Sequence, residues 1–312
     1  MTKTAFTFPG QGSQAIGMGL ELSKNYPAAK AVFDEIDEAL NQNLSALMFE
    51  GNEDELRLTQ NAQPALLAVS MAVVKVLESK GVSVKNTAAF VAGHSLGEYS
   101  ALCAAGTFSL ADTARLLKTR GLAMQQAVPV GEGAMAAILG LELDEVLEIA
   151  KQAQQGGVCE VANDNAPGQI VVSGHANAIE RAIILAKAKG AKRALLLPVS
   201  APFHCSLMCD AAEKMEEALA LVNMNNPIVP LISNVLAAPI SDAGEIRRRL
   251  IEQVTGKVRW RESIVWLTGE GEVTDLLELG AGKVLSGLAR RINRDANAVS
   301  ISTPEQIEAF VS

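Results

Sequence analysis

Gly93-His94-Ser95-Leu96-Gly97 sets a serine between two glycines, the spacing a sharp strand-to-helix turn needs to lift a hydroxyl clear of the backbone. An apolar run, Ala88-Ala89-Phe90-Val91-Ala92, precedes it and reads as a buried strand; a helical pattern from Leu96 to Ala105 follows. The five-residue pattern is common by itself, and that context is what separates a nucleophile from an ordinary serine in a βα turn. The same helix start puts the Leu96 N–H where a developing oxyanion would sit. A serine hydroxyl needs a base, and the chain has 3 histidines. His94 should leave the opposite side of the turn, and His175 should lie on the surface after the strand that ends at Ser173-Gly174. His204 remains, behind the rigid Pro202 and ahead of a helical run from Cys205 to Val222. A helix N-terminus opposes imidazolium, which would keep the ring neutral; the rival reading is a helix-start histidine with satisfied nitrogens.

Arg120 is informative for its position. Leu110, Thr113, Leu117, Arg120 and Met124 recur at helical steps, so this guanidinium lies on a mainly apolar stripe and needs an anion. A substrate carboxylate held by a bidentate fork would supply one, and so would an internal Asp or Glu. Two other patterns carry less. Gly10-x-Gly12 is followed next by Gly17, too late for a dinucleotide fingerprint. Cys205 and Cys209 share a helix face beside His204, but no further ligand accompanies them and small apolar packing explains them.

The elements that must position these groups alternate. Ala5-Phe6-Thr7-Phe8 is a short strand ended by Pro9-Gly10, helical patterns run from Leu20 to Leu40 and from Pro64 to Lys80, and a late strand covers Thr274 to Gly280. Strand, tight turn and helix in this order predict a parallel sheet covered by helices. Between Gly133 and Val199 the rhythm becomes β-α-β-β-α-β: strands at 134–140, 158–162, 169–173 and 193–199, helices at 143–154 and 176–188, and a loop over 163–168. That is the order of a ferredoxin-like unit, inserted as residues 133–199 into a larger α/β domain made of 1–132 and 200–312.

Composition excludes several classes. Of 312 residues, 49% are hydrophobic and 20% charged, ample material for a core and unlike a disordered chain. The net charge of −8 opposes nucleic-acid binding through the overall field. Four cysteines are no disulfide framework and point to a reducing compartment. The stretch before Pro9 is too short for a signal-peptide core, and the most apolar run, Ala65 to Leu77, falls short of a membrane span. The expectation is a cytoplasmic enzyme that engages neither membrane nor nucleic acid.

Further motifs in order make the resemblance specific. Phe8-Pro9-Gly10-Gln11-Gly12-Ser13-Gln14, Gln63-Pro64-Ala65-Leu66, Gly93-His94-Ser95-Leu96-Gly97-Glu98-Tyr99, Thr119-Arg120-Gly121, Pro167-Gly168-Gln169 and Pro198-Val199-Ser200-Ala201-Pro202-Phe203-His204 together resemble the malonyl-CoA:acyl carrier protein transacylases almost end to end. The resemblance implies an α/β-hydrolase-like domain with a ferredoxin-like insert. It implies Ser95 as the acylated nucleophile, His204 as its base, and the Gln253 main-chain carbonyl as the group that orients His204. Gln11 and the Leu96 amide would form the oxyanion hole, and Arg120 would hold the malonyl carboxylate. Phe203 would line the cleft, where a Phe accompanies malonyl selection in related polyketide synthase domains and a Ser accompanies methylmalonyl. Lys257 stands before Val258-Arg259-Trp260 where the family usually has proline, which leaves that loop's rigidity to be supplied otherwise.

The implied activity is malonyl transfer from malonyl-CoA to the phosphopantetheine thiol of acyl carrier protein for fatty acid biosynthesis, with no metal or redox cofactor. A serine hydrolase or thioesterase acting on acyl-CoA, a polyketide-pathway acyltransferase and a catalytically inert docking module are the rivals. Both partners are anionic, so the chain should offer a local basic rim, either Lys187, Lys189, Lys192 and Arg193 or the pair Arg290 and Arg291.

Overall fold

Short strands alternate with helices from the first described residues onward; the structure, a computed structural model, describes residues 2–312. The first half contains β1 (Thr4–Phe8), α1 (Leu20–Asn25), α2 (Pro27–Leu40), α3 (Leu44–Glu50), α4 (Glu53–Arg57), α5 (Thr59–Ser79), α6 (Val84–Thr87), β2 (Ala88–Gly93), α7 (Gly97–Ala104) and α8 (Leu110–Gln126). A second unit follows: β3 (Gly133–Leu139), α9 (Leu143–Gln154), β4 (Cys159–Ala166), β5 (Gln169–His175), α10 (Ala176–Ala188) and β6 (Arg193–Leu196). After a 3₁₀ turn at Ser206–Met208 come α11 (Cys209–Ala220), β7 (Leu231–Ile232), β8 (Pro239–Ile240), α12 (Ala243–Thr255) and α13 (Trp260–Thr268). The chain closes with β9 (Asp275–Leu279), α14 (Val284–Ile292), β10 (Asn297–Ile301) and α15 (Pro304–Val311).

Six strands form one sheet in the order β10-β9-β1-β2-β7-β8, parallel throughout except for β8, which pairs antiparallel with β7. Its strands are apolar on both faces because helices cover both. Phe6, Phe8, Leu277 and Leu279 face the core built by α2, α5 and α8, whereas Ala5 and Leu276 face the cluster around Trp260, Ile264 and Leu288 of α13 and α14. The second unit is a separate antiparallel sheet, ordered β4-β5-β3-β6, with its own apolar cluster that includes Ile138, Val146, Ile149, Ile170 and Ile179.

Helix α5 differs from the expectation for its segment. It begins at Thr59 and reaches 21 residues, long and apolar enough to cross a membrane, yet residues 61–74 are all buried inside the protein, where it is the central core helix.

Other boundaries differ for local physical reasons. The periodic stretch from Leu20 to Leu40 is two helices, because Tyr26 is extended at φ −132° and Pro27 restarts the helix at its first turn. The helix expected from Cys205 starts only at Cys209 and ends at Ala220, since Ser206–Met208 winds as 3₁₀. The expected loop over residues 163–168 is mostly strand: β4 continues to Ala166 through two irregularities in its pairing with β5, leaving only Pro167-Gly168 to turn. Such bulges re-aim side chains, here Asn163 and Asn165.

Strand β4 is tied at this point to the segment that leads into α13. Asp164 N–H donates to the Val258 carbonyl at 3.0 Å, Val258 N–H donates to Ala162 at 2.8 Å, and Arg261 pairs with buried Asp164 at 2.7 Å. Arg259 adds bonds to the Asn234, Val235 and Leu236 carbonyls. The segment after Lys257 is therefore held from both sides without a proline.

Candidate active site

The turn after β2 is fixed by contacts that only hydrogen atoms allow. A Cβ on Gly93 would lie 1.9 Å from the Gly97 carbonyl oxygen, and one on Gly97 would lie 2.2 Å from that of Phe8. Between them Ser95 adopts φ 54°, a left-handed conformation that a non-glycine residue takes only where its surroundings impose it. Asn234, just after β7, does much of the imposing: its Oδ1 accepts from Ser95 N–H at 2.8 Å and its Nδ2 donates to the Gly93 carbonyl at 2.7 Å. Leu96 N–H, at the start of α7, has no internal acceptor among the described residues.

Ser95 Oγ lies 2.7 Å from His204 Nε2, and His204 Nδ1 lies 2.9 Å from the Gln253 main-chain carbonyl. A carbonyl can only accept, so Nδ1 carries the proton and Nε2 presents its lone pair to the serine. Burial, followed by the charge of Arg120, pushes the His204 pKa down to about 3, so the ring is neutral. The expectation that a helix N-terminus would do this is corrected, because α11 begins five residues beyond His204, at Cys209.

Arg120, on α8, is 1% exposed. Its Nη1 donates to Gln63 Oε1 at 2.9 Å, and its Nη2 donates to Gln253 Oε1 at 2.9 Å and Ser95 Oγ at 3.1 Å. The guanidinium carbon sits 5.7 Å from the centre of the Tyr99 ring, and Nε has no acceptor. Among the described residues Arg120 forms no salt bridge, so the guanidinium is oriented by neutral amides and no carboxylate touches it, the charge of Glu98 acting on it only through space.

These groups border a cleft of about 550 Å³ between the two sheets. Gln11 lines it, with Nε2 in a long 3.5 Å contact to Thr59 Oγ1, and so does Phe203, which also packs into the main core. Leu96 keeps its side chain in that core. His94 does not turn away from the cleft as expected: it borders the cleft while its Nε2 meets Asn165 Oδ1 at 2.8 Å, a partner brought in by the bulged β4. His175 is half-buried, with Nδ1 accepting from Val158 N–H at 2.8 Å. Burial pushes the Cys205 thiol up to about 11, and Cys209 is exposed. Among the described residues no cluster of three or more His, Cys, Asp or Glu side chains is placed to hold a metal ion.

Asn234 and Glu98 are the residues that sequence reasoning left without a role. Nothing in the Ser233-Asn234 dipeptide signals a bond to the elbow. Glu98 did leave a trace, a lone acid in a helix whose other residues are all uncharged.

A neutral imidazole on a strained serine can generate an alkoxide for attack on an acyl carbonyl, and the guanidinium beside it, bonded only to neutral groups, can hold an acyl group that carries an anion. That chemistry is the one acyl transferases perform, and the family described as acyl transferase domain matches residues 5–263. A malonyl CoA-acyl carrier protein transacylase of Bacillus subtilis (strain 168) is 51% identical over 312 residues, covering 100% of this chain and 97% of the relative. The crystal structure of acyl-carrier-protein-S-malonyltransferase from Bartonella henselae superposes with a TM-score of 0.97 at 59% identity, over 99% of this chain and 98% of that one. A structure of a type II PKS acyl-carrier protein in complex with its malonyl-transacylase matches with a TM-score of 0.96 at 40% identity, over 99% of each chain. This chain belongs to the malonyl CoA-acyl carrier protein transacylase family.

Proposed function

We propose that this protein transfers the malonyl group from malonyl-CoA to the phosphopantetheine thiol of acyl carrier protein through a malonyl ester on Ser95, for fatty acid biosynthesis. In the first half-reaction His204 Nε2 takes the Ser95 proton as Oγ attacks the thioester carbonyl. The Leu96 amide and Gln11 receive the developing oxyanion, and collapse expels CoA thiolate, to which the imidazolium returns the proton. In the second half-reaction His204 deprotonates the carrier's thiol, which attacks the ester carbonyl, and the serine leaves with that proton. Arg120 holds the malonyl carboxylate throughout, and the Gln253 carbonyl keeps His204 in the productive tautomer. No metal or redox cofactor enters these steps. The observation that carries the reading is a guanidinium without an ion-pair partner among the described residues, 3.1 Å from a serine hydroxyl that is itself 2.7 Å from a neutral imidazole.

Residues 1–132 and 200–312 act as an α/β-hydrolase-like catalytic domain, and residues 133–199 as a ferredoxin-like insert that roofs the cleft. The 2-3-1-4 arrangement of the insert's four strands supports that assignment. Four free cysteines among the described residues suit a cytoplasmic enzyme.

Intact-protein mass spectrometry tests the proposal. Wild type incubated with malonyl-CoA should gain one malonyl adduct and discharge it onto added carrier protein faster than into water. Ser95→Ala should gain none. An adduct on both proteins would move the nucleophile away from Ser95, and discharge to water alone would make the enzyme a hydrolase.

A further inference from the structure

One buried carboxyl has no part in the steps above. Glu98 lies on α7, a helix buried along its whole length; desolvation raises its pKa, while its bonds from Gln253 and Asn234 and the charge of Arg120 act the other way, and with a donor on each oxygen the geometry is that of a carboxylate. Its two oxygens meet two donors: Oε1 accepts from Asn234 N–H at 3.2 Å, and Oε2 accepts from Gln253 Nε2. The second bond decides which way the Gln253 amide points. Gln253 Nε2 also donates to the Ser95 carbonyl at 2.9 Å, so the donor end of the amide is taken by two acceptors and the acceptor end turns to Arg120 Nη2. The reversed amide would set an NH₂ against a guanidinium that can only donate. Gln253 is thus a junction, its main-chain carbonyl on His204 and its side chain on Arg120.

We propose that Glu98 is a positioning residue for the substrate carboxylate: its bond to Gln253 locks the amide that holds the Arg120 guanidinium in the cleft. One amide separates carboxylate from guanidinium, so Glu98 orients Arg120 without pairing with it, and the positive charge remains for the acyl group. A direct Glu–Arg pair in the same place would neutralise the clamp. This inference rests on the malonyl-transfer reading.

The test is a cycle of wild type, Glu98→Gln, Arg120→Ala and the double variant, each assayed for transfer from malonyl-CoA and from acetyl-CoA. Glu98→Gln keeps the shape but offers one acceptor to two donors. Its malonyl-to-acetyl ratio of kcat/KM should fall about tenfold, mainly through the malonyl KM, as loss of one buried charged hydrogen bond warrants. In the Arg120→Ala background the same change should leave the ratio where it is. Glu98→Asp keeps the charge but is one methylene short of Gln253, so its ratio should fall too, and it carries the test if Glu98→Gln folds poorly. Equal losses on both substrates, or effects that add in the double variant, would make Glu98 a structural residue only. Wild type that fails to load malonyl on Ser95 would overturn the functional reading itself. Wild type that loads it, with variants of unchanged ratio, would overturn the role of Glu98 alone.

Discussion

The histidine proposed as the base sits where burial and a neighbouring cation both oppose its protonation. Its folded pKa of about 3 lies below the 6.5 of an exposed ring, so the native state stays neutral while an unfolded chain takes up a proton. The consequence for stability has a definite sign: the contribution of His204 is complete above pH 6.5 and is lost progressively as the pH falls toward about 3. For activity it means that acylation by a neutral ester such as p-nitrophenyl acetate should show no acid limb centred near 6.5. Arg120→Ala removes the second cause of the depression and should move that limb upward, toward the ordinary value. Pre-steady-state acylation between about pH 4.5 and 8 reads both, that span bracketing the ordinary imidazole pKa; a limb at 6.5 in wild type would mean that the ring is hydrated in solution. On the proposed mechanism a malonyl carboxylate seated on Arg120 would offset the same charge, so the substrate would restore part of the basicity that its own turnover requires.

The elbow between β2 and α7 depends on an element that sequence reading did not find. Strand β7 is two residues long, Leu231–Ile232, too short to show a period, yet it delivers Asn234 to both sides of Ser95. Asn234→Ala would leave the Ser95 N–H and the Gly93 carbonyl without their partners. The expected cost is about 1–3 kcal/mol of stability by denaturant unfolding, with slower Ser95 acylation because φ 54° is no longer enforced. Unchanged unfolding and acylation together would show that Gly93 and Gly97 suffice to hold the turn.

The same contrast explains what was legible. Helices α9 and α10 match their expected limits to the residue, because an amphipathic surface helix writes its period into the sequence. Ser95, His204 and Arg120 stood out by residue type: a scarce histidine, a serine between glycines, a charge on an apolar stripe. Gln253 could come only from resemblance, since any residue supplies a carbonyl. Its side-chain bonds to Arg120 and Glu98 span 133 and 155 positions, and no local pattern records them.

At the scale of the whole molecule, a chain of net charge −8 must receive CoA and a carrier protein that are themselves anionic. The long-range field therefore opposes encounter, and any attraction has to be local. The end of the antiparallel unit offers it: Lys187, Lys192 and Arg193 are exposed and form no salt bridge among the described residues, while Lys189 is paired with Glu148 at 2.8 Å. Beyond Arg193, β6 exposes Leu195 at 53% and Leu196 at 56%, and the chain then passes through cleft-lining Leu197 and Pro198 toward His204. A basic edge beside exposed leucines thus runs straight into the site. The alternative pair is less free, because Arg290 donates to the Ala298 carbonyl and Arg291 to Gln169 and the Pro167 carbonyl. Screening over about 10 Å at 0.1 M salt should weaken transfer to carrier protein more than transfer to neutral pantetheine. Lys187→Glu with Arg193→Glu should lower kcat/KM for the carrier about tenfold at low salt, roughly the worth of two steering charges, and flatten its salt dependence. Transfer to pantetheine should be unchanged, since neither residue borders the cleft. Equal salt responses for the two acceptors in wild type would remove this edge as the docking rim and leave the carrier to be recognised through its apolar contacts.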